Sequence, residues 1–426
     1  MVGLLLIMLT AADAGPQTDV VQQLPIETAL GDTEVIPSDR FVVSIVLMGP
    51  GEQLFSRWGH IAIRVDDKQN GLSRVFNHGT FDFSGTEDLY AYAKGFLRFR
   101  LATSSWRSTE WTYTAQDRDL WVCPLDVGHE REAQAVALLE DNLLPENRYY
   151  AYRHYLDNCT TRTRDVVLAV AGKSLAPFRD EVPTGNTFRT WTREYLMGTP
   201  VMRLLILFAL GPSVDVPVTR WQEHFLPDLL VEDLKAATGP NGQPLLRECQ
   251  HVVERQGPPP RQHVAFWERA VIAGLVAALA LGLLVPFLLS AGVLRRRLHG
   301  IGFLIWSMLG GGGGLVLAVF WLFTEHDDTW ANENLFAFVP LHILLVVPAV
   351  MLLAGQELSE RFLRILCGYL SGALILVFVD VLLKVGPLNQ DNGSYLAVAT
   401  AIDLALLVAV QRMRPSNSRC MTSTVV

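Results

Sequence analysis

The spacing of apolar positions divides the chain near residue 262. Before that point charged residues are frequent and apolar runs are short. Beyond it, long apolar runs alternate with short polar connectors. Five of these runs approach the roughly 20 residues that a helix needs to cross hydrocarbon: 270–293, 301–323, 335–353, 365–383 and 395–410, the last being the shortest. Upstream, 41–48 (FVVSIVLM) reads as a buried strand ended by the Gly49-Pro50-Gly51 turn. In 60–65 the side chains alternate, with Ile61, Ile63 and Val65 on one face and His60, Ala62 and Arg64 on the other. A third strand is expected over 74–78, and helices over 138–144 and 160–171, the second opening directly after Asn158-Cys159-Thr160-Thr161.

Basic residues fix an orientation for the apolar third. Arg295, Arg296 and Arg297, then Arg361 and Arg364, then Arg412, Arg414 and Arg419 fall in alternate connectors, whereas the other connectors carry only Lys384. By the positive-inside rule the N-terminal part is outside the cytoplasm and the C-terminus inside. Residues 256–262 (QGPPPRQ) read as an extended spacer. The expected division is therefore a signal peptide over 1–14, an extracytoplasmic domain over 15–255, a Pro-rich linker over 256–263, about five membrane helices over 264–411 and a cytoplasmic tail over 412–426. The run 204–210 is too short to span and is either a core helix or an interfacial helix that dips into lipid. Five consecutive glycines, Gly310 to Gly314, predict close helix packing or a distorted segment within the second span.

Composition agrees with two unlike parts. The 426 residues are 50% hydrophobic, too apolar for one soluble domain, yet 18% are charged, too many for an all-membrane chain. A net charge of −8 argues against a nucleic-acid partner. Of five cysteines, Cys367 lies in an apolar run and Cys420 in the tail, so Cys123, Cys159 and Cys249 allow one disulfide and leave one thiol free.

That arithmetic draws attention to Cys159. Its place at a helix N-terminus, with Arg162 and Arg164 in the first turns, favours thiolate over thiol. His60, turned away from the strand's apolar face, is the candidate general base. Two other clusters stand out. The connector 325–334 (EHDDTWANEN), with His326, is either a lipid head-group contact or a solvated loop. No pair of histidines at ligand spacing accompanies it, so no metal is expected. Asp380 and Asp403 fall either inside spans, where carboxylates are often functional, or at their edges.

The stretches FSRWGHIAIRV (55–65), FNHGTFDF (76–83), Tyr150-Ala151-Tyr152 and DNCTTR (157–162) resemble the extracytoplasmic domain of Lnb-type bacterial lipoprotein N-acyltransferases, over roughly residues 40–235. The resemblance implies an α+β, permuted papain-like (NlpC-type) soluble domain followed by an all-α transmembrane bundle. It implies Cys159 as nucleophile and His60 as base, with no cofactor. Asn77 and His78 lie on opposite faces of a strand, so only one can face His60, and analogy with the paired histidines of lecithin:retinol acyltransferase favours His78. Tyr150 and Tyr152 are candidate oxyanion donors, with Asn158, Arg162, Arg164 and His326 as further candidate substrate contacts. The implied reaction carries an acyl chain from phospholipid through a Cys159 thioester to the N-terminal amine of a diacylglyceryl lipoprotein at the inner membrane. The rivals are a papain-like peptidase or amidase acting on cell-wall peptide and a non-catalytic membrane receptor or assembly factor. Reporter fusions after Arg414 are expected to report a cytoplasmic location and fusions near Gln256 an outside one; an outside tail would overturn this topology.

Overall fold

The computed structural model describes residues 39–81, 90–91, 93–96, 98–259 and 292–414. The expected signal segment, the first apolar run apart from its last two residues, residues 260–262 of the spacer, and the tail from 415 onward lie outside the described residues. The chain forms two compact units. Thr18–Gly198 and Pro217–Val264 make one; Thr199–Val216 and Ala265–Val426 belong to the other.

The first unit is built on a seven-stranded sheet. Its strands are β1 (Phe41–Met48), β2 (His60–Asp67), β3 (Leu72–Thr80), β4 (Arg98–Ser105), β5 (Leu120–Pro124), β6 (Tyr149–Ala151) and, last in the chain, β9 (Gln250–Val253). The order is β6-β4-β3-β2-β1-β5-β9, with antiparallel neighbours throughout. β1 and β2 are rich in β-branched residues that suit a pleated, buried surface, and they pair so that Val43 faces Val65 and Met48 faces His60.

Both sheet faces are covered. On one, Ile45, Ile61 and Ile63 pack with Leu139 of helix α2 (His129–Asp141), Val166, Val167 and Val170 of α3 (Cys159–Ala171), and Leu230 and Leu234 of α7 (Pro227–Ala236). On the other, Val46, Met48 and Ala62 pack with Trp106 and Tyr113 of α1 (Trp106–Ala115). The alternation in β2 therefore separates two buried faces. Arg64 reaches this second face by laying its guanidinium over the Trp106 ring at 4.2 Å. Each fully buried valine or leucine stabilises by about 1.5–3 kcal/mol, which holds α3 firmly against β2 and β3. A Cys123–Cys249 disulfide uses two of the three soluble cysteines. Cys159 and Cys367 are the free thiols among the described residues.

A small two-stranded sheet, β7 (Pro183–Thr187) with β8 (Pro217–Thr219), pairs Thr187 with Pro217. Between these strands the chain forms α4 (Phe188–Tyr195) and leaves for the second unit as α5 (Pro200–Ala209); α6 (Arg220–Glu223) follows β8. The run 204–210 is thus not a core helix of the soluble unit.

The second unit contains α8 (Val293–Trp306) and α9 (Gly313–Phe323) joined by a π-helical turn over Ser307–Gly312, then α10 (Val346–Leu353), α11 (Glu360–Leu383) and α12 (Gly393–Met413). Among the described residues, three helices are long and apolar enough to cross a membrane: Val293–Phe323, Glu360–Leu383 and Gly393–Met413. The apolar run 335–353 is not one continuous α-helix. Glu333–Phe336 and Pro340–Leu345 are separate 3-10 turns, and only the residues from Val346 are α-helical. Pro340 lacks the N–H that a continuous helix would need. The glycine run supplies the other cause, because it does both things expected of it. It forms the π-turn, and it admits the neighbouring backbone: a Cβ on Gly311 would stand 2.1 Å from Ile343 N, and one on Gly314 2.0 Å from Phe338 O.

The polar connector is neither a solvated loop nor a free head-group site along its whole length. Asn332, Glu333 and Asn334 are buried. Glu333 bonds the Lys384 ammonium and accepts from the backbone N–H of Asn389 (3.0 Å) and Gln390 (3.1 Å). Asp380 and Asp403 are fully buried, and Asp403 accepts from the Trp306 indole at 2.8 Å.

Candidate active site

The geometry of Cys159 begins with its neighbour. Asn158 has extended backbone, and its side-chain oxygen accepts from the N–H groups of Thr160 (2.8 Å) and Thr161 (3.0 Å). Thr161 Oγ1 returns the favour by accepting from Asn158 N at 2.8 Å. This reciprocal capping box starts α3 at Cys159. The Asn158 amide also donates to the carbonyls of His154 and Phe225, both at 2.9 Å. Its polar atoms are all engaged, so Asn158 positions the site and is not available to contact substrate.

β2 brings His60 opposite. Its Nδ1 is 3.1 Å from Cys159 Sγ, and its Nε2 is 2.7 Å from Asn77 Oδ1. With a carbonyl oxygen at Nε2, that nitrogen carries the hydrogen and Nδ1 is left to exchange a proton with the thiol. The side chain that faces His60 Nε2 is thus Asn77, and not His78 as the analogy favoured. His78, on the other face of β3, is buried and makes no hydrogen bond to His60. Burial, with Arg162 and His60 adding to it, pushes its pKa down to about 3, so it stays neutral.

Burial of Cys159 opposes thiolate formation. The nearby His60 charge and hydrogen bond, with smaller help from Thr160 and the Ile61 N–H, outweigh it and hold the thiol below its ordinary range. The same balance acts on His60: burial lowers its pKa, but the Cys159 charge and hydrogen bond, with the Asn77 bond, raise it overall. Both shifts move the pair towards the thiolate–imidazolium form. The arginines expected to assist are occupied elsewhere. Arg162 makes two 2.6 Å bonds to Asp157, and Arg164 bonds Asp165 at 3.0 Å and the Trp221 carbonyl at 3.2 Å.

Tyr150 projects from β6 with its ring beneath the Arg162 guanidinium at 4.4 Å. Its hydroxyl is buried and has no hydrogen-bond partner among the described residues. Burial, then the charge of Cys159, pushes its pKa up, so it remains a proton-bearing donor. Tyr152 stacks on Phe99 at 4.2 Å and points its hydroxyl at His154 Nδ1, 3.4 Å away. His326 belongs to the other unit, where its ring meets Phe320 edge-on at 5.8 Å.

One residue of the site carries no role in the sequence reading. Gly79 sits at a bulge in β3 with φ +141°, and a Cβ there would lie 3.1 Å from His60 Cε1 and 3.5 Å from Cys159 Cβ. A side chain would wedge the pair apart. The signal was an isolated glycine inside a strand pattern, which marks a bulge or a close approach. Among the described residues, no group of three or more His, Cys, Asp or Glu is arranged to hold a metal ion.

Residues 33–194, which include His60, Asn77, Gly79, Tyr150 and Cys159, match the family described as the Lnb N-terminal periplasmic domain. Residues 268–385 match the Lnb transmembrane domain. The chain is an Lnb-type protein. Its two matches make it a membrane protein with a periplasmic N-terminal domain. No curated protein and no solved structure matches it.

The pair makes a pH-dependent reactivity. Iodoacetamide should alkylate Cys159 well below the pH at which an ordinary thiol reacts, because the pKa is lowered. In His60→Ala the burial penalty is opposed only by the weaker Thr160 and Ile61 N–H contacts, so the thiol pKa rises and the rate at pH 7 should fall at least about tenfold. Mass-spectrometric rates across pH 5–9 check this, and an unchanged profile in His60→Ala would contradict it.

Proposed function

We propose that this Lnb-type protein is a cysteine-dependent acyltransferase at the outer face of the cytoplasmic membrane, taking acyl chains from phospholipid and delivering them to the N-terminal amine of diacylglyceryl lipoproteins. The observation that carries this reading is the 3.1 Å contact between Cys159 Sγ and His60 Nδ1, in a chain whose second unit holds apolar spanning helices. Cys159, His60 and Asn77 form a Cys-His-Asn set of the kind papain-like thiol enzymes use. Here the histidine precedes the cysteine in the chain, as a permuted papain-like fold would place it.

In the first step, the Cys159 thiolate adds to the ester carbonyl of a phospholipid. The negative charge passes to the carbonyl oxygen, for which the unpartnered Tyr150 hydroxyl is the available donor. The tetrahedral centre collapses, the C–O bond breaks, and the His60 imidazolium gives its proton to the leaving alkoxide. Lysophospholipid departs and a thioester remains on Cys159. In the second step, the lipoprotein amine attacks the thioester. The C–S bond breaks, the amine proton goes to His60, and the thiolate–imidazolium pair is restored with an amide on the lipoprotein. Asn77 keeps Nε2–H engaged throughout, so the nitrogen facing sulfur is always the one that exchanges the proton.

Incubating the purified protein with phospholipid alone should build an acyl adduct on Cys159 that hydroxylamine removes at neutral pH. Intact-mass measurement reads it directly. Cys159→Ala should form no adduct while inserting and folding normally. Absence of any adduct across several phospholipids, together with cleavage of cell-wall peptides, would transfer the reading to a peptidase of the same Cys-His kind.

A further inference from the structure

The acyl-transfer chemistry makes no use of α5. This helix (PVMRLLILFA) has no acid and a single base, Arg203. It groups with the membrane unit although it lies within the sequence of the periplasmic part. Its C-terminal end is seated deeply. Leu207 is buried, and the Phe208 ring meets Phe338 at 4.7 Å and Tyr395 at 5.4 Å. Phe208 also stands 3.4 Å from where a Gly313 Cβ would be. Gly313 opens α9, which runs eleven residues to Phe323. At 1.5 Å per residue, about 15 Å of helix separates that contact from the end of the span.

A helix end at such depth must have its last carbonyls covered. The Asn332 amide nitrogen lies 3.1, 2.9 and 3.2 Å from the carbonyl oxygens of Phe208, Ala209 and Leu210. Asn334 donates to Phe208 O at 2.9 Å, and Gln390 to Leu210 O at 3.0 Å. The Tyr395 hydroxyl donates to Leu204 O at 2.8 Å. All four donors come from the connector before Leu335, from the connector before α12 or from the first turn of α12, on the side of the bundle that lacks arginines.

The first two turns of α5 present an exposed apolar stripe. Val201, Met202, Leu204 and Leu205 are 59, 40, 42 and 56% exposed, and their i, i+1, i+3, i+4 spacing puts them on one stripe. Leu315, Val316, Val319 and Leu322 of α9 are exposed in the same way. We propose that α5 is a membrane-embedded element lying in the outer leaflet, with Val201, Met202, Leu204 and Leu205 against phospholipid acyl chains. The periplasmic domain then carries its own membrane foot, a loop of chain that leaves after α4 and returns at β8, its base closed by the Thr187–Pro217 pairing. This holds whether or not the protein transfers acyl groups.

The test uses the full-length protein in vesicles of phosphatidylethanolamine and phosphatidylglycerol containing a phospholipid with a diazirine on its acyl chain. After illumination, peptide mass spectrometry should find adducts on residues 201–205 as well as on α9 and α11. Adducts on the spans with none on 201–205 would overturn the proposal. Leu205→Cys gives a second reading against Leu72→Cys, an exposed position of the soluble unit. A thiolate does not form in hydrocarbon, so a water-soluble maleimide should modify Leu205→Cys at least about tenfold more slowly than Leu72→Cys. Equal rates would overturn the proposal. Slow modification without acyl-chain adducts would also overturn it, because the stripe would then be covered by protein, such as a second copy.

Discussion

Asn158 decides where the Cys159 sulfur sits. Its side chain closes the first turn of α3 through Thr160 and Thr161 and ties that turn to the carbonyls of His154 and Phe225. N-capping of this kind is worth about 0.5–2 kcal/mol, but its greater effect is geometric. With the helix started at Cys159 and its valines packed on β2 and β3, the sulfur has one place to go, beside His60. Burial alone would keep the pair neutral. The mutual charge interaction of His60 and Cys159 and the hydrogen bonds along Asn77, His60 and Cys159 work against that, while the neighbouring arginines are spent on Asp157, Asp165 and the Trp221 carbonyl. Gly79 keeps the space in which this chain of contacts can close.

The membrane unit solves a different problem with similar means. Hydrocarbon offers no partner for backbone groups, yet the chain between α9 and α10 is largely non-helical. It is accommodated because Gly311 and Gly314 let it pack backbone to backbone against the π-turn, and because Asn332, Asn334 and Gln390 satisfy carbonyls that would otherwise be bare. The buried carboxylates follow the same rule: Asp403 takes the Trp306 indole, and Glu333 takes Lys384 and two backbone N–H groups.

Much of this was legible in the sequence. The β1 to β3 strands, the helix opening at Cys159, the His60 partner, the single disulfide and the apolar helices at 301–323, 365–383 and 395–410 follow from periodicity, capping residues and cysteine arithmetic. The rest depended on three-dimensional facts that spacing does not encode. Alternation says that Asn77 and His78 oppose each other, but which one faces His60 is set by the β2–β3 register, in which Ile63 pairs with Phe76. The helix dipole and nearby arginines argued for a thiolate, yet the arginines' partners come from side chains that the sequence alone did not pair with them. Hydropathy joined 335–353 into one continuous helix because it counts apolar residues and not the backbone contacts that interrupt them. The run 204–210 was ambiguous because its partners, at 332–334 and 390–395, are more than a hundred residues away.

The central claim is that the Cys159–His60 pair ends its work on lipoprotein amines. Mass spectrometry of lipoprotein N-termini from cells carrying the wild-type chain, the Cys159→Ala variant, or neither tests this most directly. The account predicts an amide-linked acyl chain on the N-terminal cysteine only with the wild-type chain, and a free amine in the other two. Identical N-termini in all three would contradict it.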